Sequence, residues 1–148
     1  MKAFFSILVM IGLAFAAEKK LWNKLGFSYE TAIKGNKTNG KPVLVEFYAT
    51  WCIPCLEMEK TVFKDHAVIK ELNENFYFVR LDIEKNQEIF CEGETLPVLS
   101  CMELWELEGI PAFAVLDREG KLRHLVTGDF RKNEFLNFLK AIKADLKK

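Results

Sequence analysis

The chain has 148 residues, half of them hydrophobic, which is enough for one sizeable core and too little for two ordinary domains. Basic and acidic residues balance at 21 each, so the formal net charge is zero. Without a run of like charge, the sequence gives no indication of a nucleic-acid partner or of an anionic membrane surface as partner. It also lacks a coiled-coil pattern, so we expect a monomer.

The first residues differ from the rest of the chain. Lys2 precedes an apolar run over 3–17, which ends in small residues before the polar Glu18. This order is typical of a cleaved signal peptide. A retained membrane anchor is the alternative, but roughly 15 apolar residues fall short of the roughly 20 that span a bilayer as a helix. We therefore expect a signal peptide at 1–17, cleaved after about residue 16 or 17, and one exported domain at 18–148.

Beyond this segment, strand and helix patterns alternate. The predicted strands are buried or half-buried apolar runs over 43–48, 76–81, 112–116 and 122–127, the last two joined as a hairpin. The predicted helices, two of them with Ser28 or Asp65 as a cap, cover 29–34, 56–63, 67–75 and 131–147, and a polar turn covers 35–41. A strand, a helix and a strand in sequence predict a parallel crossover. The predicted fold class is α/β, with a central mixed sheet of about four strands flanked by helices.

Cys52 and Cys55 form a Cys-x-x-Cys pair between a predicted strand and a predicted helix. Free N–H groups and the helix dipole favour a thiolate at Cys52, which makes it the nucleophile. Cys55, one turn later, can resolve the mixed disulfide, and Pro54 is tolerated in a first turn. A structural bridge across so small a loop would constrain little, and a zinc site needs more ligands than one such pair. We expect disulfide exchange without an added cofactor and without a metal.

The segment over 84–109 is the least regular part of the sequence. It contains Cys91 and Cys101 and predicts only a short helix over 102–107. In an oxidising compartment two such cysteines favour a structural disulfide. A second redox pair that relays electrons to or from Cys52 and Cys55, or a pair of free thiols, are the alternatives.

The run over 45–55, which ends in Trp51-Cys52-Ile53-Pro54-Cys55, and the later Gly109-Ile110-Pro111-Ala112 together resemble the active-site strand and the cis-proline loop of the thioredoxin superfamily. The resemblance covers nearly all of the mature chain and implies a thioredoxin-like fold. It is closest in kind to the C-terminal thioredoxin-like domain of the bacterial transmembrane reductase DsbD, whose helix after the active site looks like 57–63.

The resemblance also implies roles for individual residues. Pro111 should be cis and face the cysteines, and the backbone of Ile110 should pair with an extended substrate. Glu46 and Glu59 take positions where the family has acids near the cysteines, although Asp is commoner than Glu at position 46. An acid under Cys55 could accept the proton of that thiol, and burial would raise the pKa of the acid. For Glu59 the alternative is an ordinary exposed helix acid.

Two aromatic residues flank the predicted site. We expect Tyr48 and Trp51 to pack around the cysteines, shielding and shaping a substrate-binding surface, and not to take part in the chemistry.

The resemblance implies a periplasmic protein-disulfide reductase. A membrane thiol–disulfide electron donor would keep it reduced, and its substrates would be exported proteins with disulfides, such as those that mature c-type cytochromes. The alternatives are a disulfide oxidase or isomerase, a peptide-binding module without turnover, and a metal-binding thiol protein.

Overall fold

The computed structural model describes residues 26–147, so the predicted signal peptide at 1–17 lies outside the described residues. The strands are β1 (Val43–Tyr48), β2 (Tyr77–Asp82), β3 (Glu88–Cys91), β4 (Glu94–Pro97), β5 (Ala112–Leu116) and β6 (Leu122–Thr127). The helices are α1 (Tyr29–Asn39), α2 (Ile53–Thr61), α3 (His66–Asn75), α4 (Val98–Leu104) and α5 (Lys132–Asp145).

The central sheet has four strands in the order β2-β1-β5-β6. Strand β1 is parallel to β2 and antiparallel to β5, and β6 pairs with β5 as an antiparallel hairpin. The predicted parallel crossover, hairpin and mixed sheet are therefore confirmed. Each residue of β1 except Tyr48 is buried, as expected for a strand with neighbours on both edges.

Helices cover both faces of this sheet, and side chains along β1 alternate between them. Val45 and Phe47 lie in a core shared with α1 and α4. Leu44 lies in a second core shared with α2, α3 and α5. Within residues 26–147, no helix has both the length and the apolar character needed to cross a membrane.

Helix α1 begins where the sequence predicts, but its predicted end at residue 34 is wrong. The Ser28 side chain accepts a hydrogen bond from the Thr31 N–H, as an N-cap does. The helix then continues to Asn39 and ends at Gly40, whose φ of 74° suits a residue without Cβ. Gly35, which indicates a turn in the sequence, instead allows close packing, because a Cβ there would collide with the Tyr77 ring.

The region over 84–109 contains more regular structure than the sequence predicts. A helix is present near the predicted 102–107, but the predicted bounds are wrong, because α4 starts at Val98, directly after its N-cap Pro97, and ends at Leu104. Before it, β3 and β4 form an antiparallel hairpin that was not predicted. Its two-residue loop, Glu92 and Gly93, has positive φ at both positions, which is the geometry of the favoured tight hairpin turn. Glu-Gly is a weaker signal for this turn than Asn-Gly, so the sequence gives little notice of it.

The phenylalanines that pack around Phe135 of α5 provide a test of the fold. Phe135 is fully buried, and its ring lies between 5.5 and 6.1 Å from the rings of four other phenylalanines. Phe135→Ala should lower the free energy of unfolding by about 3 to 5 kcal/mol, because it leaves a cavity. Urea unfolding of the oxidised protein measures this. Phe90→Ala, the same change at a residue that is 55% exposed, is the control and should have a far smaller effect. Equal losses in the two variants would contradict this packing.

Candidate active site

Cys52 and Cys55 lie where β1 gives way to α2, and the structure joins them in a disulfide with a Cα–Cα distance of 5.3 Å. Cys52 is the N-cap of α2, and its Sγ accepts a hydrogen bond from the Cys55 N–H at 3.3 Å. The same free N–H groups at the helix start can stabilise a Cys52 thiolate after reduction. Cys52 thus lies at the N-cap of α2 and Cys55 in its first turn, and the assignment of Cys52 as nucleophile and Cys55 as resolving thiol stays a prediction.

The loop before β5 lies against this pair. The Ile110–Pro111 peptide bond is cis, as the family resemblance implies. Ile110 packs against the cluster formed by Ala49, Cys52 and Cys55. The Gly128 N–H donates to the Pro111 carbonyl at 2.8 Å, which ties the loop to the end of β6. The predicted substrate-binding residues Ile110 and Pro111 thus lie beside the disulfide.

The rim of the site is apolar and open to solvent. Trp51 is 62% exposed and Ile53 is 74% exposed, although Cys52 and Cys55 themselves are almost fully covered. Trp51 is thus largely exposed at this rim, whereas Tyr48 packs against the cysteine cluster. Exposed apolar side chains around a reactive pair offer a contact surface for a protein substrate.

On the face of the sheet that α2 covers lies a group of three charged side chains. Glu46 is fully buried in β1, and Arg80, its neighbour across the parallel strand β2, donates from Nε to Glu46 Oε2 at 2.5 Å. Arg80 Nη1 also lies 3.5 Å from Glu59 Oε2 on α2. Glu59 is therefore not a simple exposed acid, since it shares a cation with the buried carboxylate.

The environment of Glu46 suits proton transfer near neutral pH. Burial raises the pKa of its carboxyl to about 7, because the charged form loses its hydration, and the nearby Arg80 guanidinium only partly offsets this. The Glu59 charge raises the Glu46 pKa further. Glu46 Oε1 is buried and has no hydrogen-bond partner among residues 26–147, so it has the capacity to accept a proton.

Arg80 is the member of this group that sequence reasoning missed. Its guanidinium lies over the Tyr48 ring at 4.3 Å and the Phe63 ring at 5.3 Å, so it is held on several sides. The sequence pattern identifies Arg80 only as one residue of a predicted strand. Two signals could have identified it: it is a lone cation in an apolar run, and it occupies the same position in its parallel strand as Glu46 does in β1.

Cys91 and Cys101 form the other disulfide, which links β3 to α4 across a Cα–Cα distance of 6.3 Å. Both are buried, at 3% and 0% exposure. Neither lies at a helix N-terminus, so neither thiolate would be stabilised as that of Cys52 is. In the part of the chain described, no three His, Cys, Asp or Glu side chains are grouped so that they could hold a metal ion.

Sequence comparison identifies relatives of this site. The family profile described as a thioredoxin-like domain matches residues 29–143. The thioredoxin-like protein HCF164, chloroplastic, of Arabidopsis thaliana is 32% identical over 94% of this chain and 47% of its own length. The thiol:disulfide interchange protein DsbD of Actinobacillus pleuropneumoniae is 33% identical over 69% of this chain and 16% of its own length. The chain thus spans less than half the length of these curated relatives.

Solved structures show the same fold. A thioredoxin from Thermus thermophilus superposes with a TM-score of 0.64 at 20% identity, covering 81% of this chain and 87% of that one. The reduced DsbD C-terminal domain of Neisseria meningitidis gives a TM-score of 0.57 at 22% identity, with 76% and 91% coverage. The chain belongs to the thioredoxin-like family, has thiol–disulfide oxidoreductases among its homologues, and carries their kind of Cys-x-x-Cys pair at Cys52 and Cys55.

Proposed function

We propose that this protein is an exported thiol–disulfide reductase that passes two electrons from the Cys52–Cys55 dithiol to disulfides of other exported proteins. The observation that carries the proposal is the position of Cys52 as the N-cap of α2, beside the Ile110–Pro111 loop. A helix start supports a low thiol pKa, and a loop that lies beside the reactive pair supports docking of an extended peptide.

The reaction proceeds in two exchanges. The Cys52 thiolate attacks one sulfur of the substrate disulfide, forming a mixed disulfide and releasing the other substrate sulfur as a thiolate. Cys55 loses its proton and attacks Cys52 Sγ, which forms the Cys52–Cys55 bond and releases the second substrate sulfur. The substrate gains two electrons and takes up two protons, and the protein is left oxidised. A membrane thiol–disulfide donor then reduces it again by the same chemistry.

Glu46 is the acceptor for the Cys55 proton, directly or through a water molecule. Its buried Oε1 is free to accept, and a pKa of about 7 allows it to take a proton and to release it. Arg80 and Glu59 set the charge around this carboxyl.

Export and direction rest on the sequence and on the relatives. The apolar run over 3–17 has the order of a signal peptide, and an exported chain encounters substrates that hold disulfides. DsbD is named a thiol:disulfide interchange protein, which supports thiol–disulfide exchange as the reaction. The reductive direction and the periplasmic location are part of the proposal and follow from the resemblance of the active-site run. Proteins that mature c-type cytochromes are the candidate substrates that the same resemblance implies.

Removing the resolving thiol tests the assignment of the nucleophile. Cys55→Ser should accumulate mixed disulfides between Cys52 and exported proteins, because the second exchange can no longer occur. Non-reducing electrophoresis and mass spectrometry of cells expressing the variant detect these adducts. Cys52→Ser is the matched control and should trap none. Adducts in both variants, or in neither, would contradict the assignment.

The pH dependence of the second exchange tests Glu46. Below about pH 7 its carboxyl is protonated and cannot accept a proton, so the rate of mixed-disulfide resolution should rise as pH increases through that value. In Glu46→Gln the rate at neutral pH should fall by about 10²-fold, the lower end for a positioned general base. Stopped-flow measurement of resolution between pH 5 and pH 10, roughly the range that spans the carboxyl and thiol pKa values, provides the profile.

Glu59→Gln is the companion variant for this test. The Glu59 charge raises the pKa of Glu46, so its loss should lower that pKa and shift the rise in rate to lower pH. If Glu46→Gln keeps the wild-type profile, Glu46 does not accept the Cys55 proton.

A further inference from the structure

The segment over 84–109, which the Cys91–Cys101 disulfide cross-links, leads directly into the loop beside the active cysteines. It consists of the β3–β4 hairpin, helix α4 and a short connection to Ile110. The Cys91–Cys101 disulfide joins the hairpin to the helix, and Ile110 then packs against the Cys52 and Cys55 cluster. Whatever fixes α4 therefore also restrains the start of the loop.

Trp105 connects the disulfide to the sheet. Its N–H donates to the Cys101 carbonyl at 3.0 Å, and its indole N–H donates to Glu92 Oε1, also at 3.0 Å. Its ring packs edge-on against Phe47 of β1 at 6.2 Å. The main chain of Trp105 thus bonds to the end of the helix, and its side chain contacts the residue after Cys91 and the strand that leads to the active site.

The backbone on both sides of this contact adopts a conformation that side chains disfavour. Glu92 has φ of 51° and Glu106 has φ of 55°, both in the left-handed region that residues other than glycine rarely occupy. Such residues persist where the surrounding structure holds them. Here the restraints are the disulfide beside Glu92 and the hydrogen bond from the Leu107 N–H to the Met102 carbonyl at 2.9 Å, which spans Glu106.

We propose that the Cys91–Cys101 disulfide is a positioning element of the active site: through Trp105 it fixes the path of residues 105–110 and so holds the Ile110 backbone ready for extended peptide substrates. This inference rests on the proposed function for its substrate and goes beyond it by giving the second disulfide a task at the first site. A small disulfide compound, which has no peptide backbone to pair with Ile110, does not need this positioning.

The test replaces both cysteines, as Cys91→Ala together with Cys101→Ala, so that no free thiol is left to interfere with exchange. Rates are compared for two substrates, a synthetic peptide with an internal disulfide and hydroxyethyl disulfide. The value of kcat/KM for the peptide should fall about tenfold or more, whereas that for hydroxyethyl disulfide should change by less than about twofold. Hydrogen exchange should become faster at amides over 105–110 and stay unchanged in α5.

Two further variants keep the disulfide and guard against a folding defect in the first. Trp105→Phe loses the indole hydrogen bond to Glu92 and should show the same substrate dependence to a smaller extent. Glu92→Gln retains an acceptor oxygen for the indole and should behave as wild type.

Ile142→Ala is the control for general destabilisation, because Ile142 is buried on α5 in the other core. It should affect both substrates equally. An equal loss for both substrates in the Cys91 and Cys101 double variant, or unchanged hydrogen exchange at the amides over 105–110, would overturn the proposal. If the wild type reduces neither substrate, the proposed function fails, and hydrogen exchange alone decides whether the disulfide holds the loop.

Discussion

The burial of β1 on every side determines where the reactive sulfurs lie. The strand has hydrogen-bonded neighbours on both edges and helices on both faces, so its end and the start of α2 have little freedom. Full burial of an aliphatic or aromatic side chain stabilises by about 1.5 to 3 kcal/mol, and Val43, Leu44, Val45 and Phe47 are all fully buried. Because Cys52 follows this strand within four residues of Tyr48, the packing of the core holds it at the helix N-terminus.

Strand β1 also places the charged side chain of Glu46 in the core, and a gain in stability does not explain its presence there. A buried ion pair is often no better for stability than apolar residues of the same volume, because both charges lose their hydration. Glu46 and Arg80 nevertheless pair in the layer between the sheet and α2. The role that we propose for Glu46, accepting the Cys55 proton, would account for a buried carboxyl with a pKa raised to about 7, a pKa that the nearby Arg80 guanidinium holds down against the effect of burial.

Features that depend on local sequence were predictable. Apolar runs gave the four central strands, capping side chains gave the starts of α1 and α3, and the Cys-x-x-Cys spacing gave the reactive pair. Features that depend on packing between distant segments were not predictable from the sequence. The continuation of α1 through Gly35 depends on close packing against Tyr77, and the Glu46–Arg80 pair follows from strand register.

The β3–β4 hairpin was not predictable from the sequence for a further reason. Its strands are four residues each, too short to establish an alternating pattern. The loop between them, Glu92-Gly93, lacks the usual Asn-Gly turn signal. The Cys91–Cys101 disulfide joins this hairpin to α4, and hydrophobic periodicity does not indicate which cysteines pair.

The equilibrium reduction potential of Cys52–Cys55 tests the central claim most directly. The protein without its first residues is equilibrated in redox buffers, thiols are alkylated, and mass spectrometry follows the two pairs separately. A reductant should give a potential near that of thioredoxin, about −270 mV, with Cys91–Cys101 still oxidised at that potential. A value near about −120 mV, that of a strong oxidase, would contradict the claim that this pair donates electrons to its substrates.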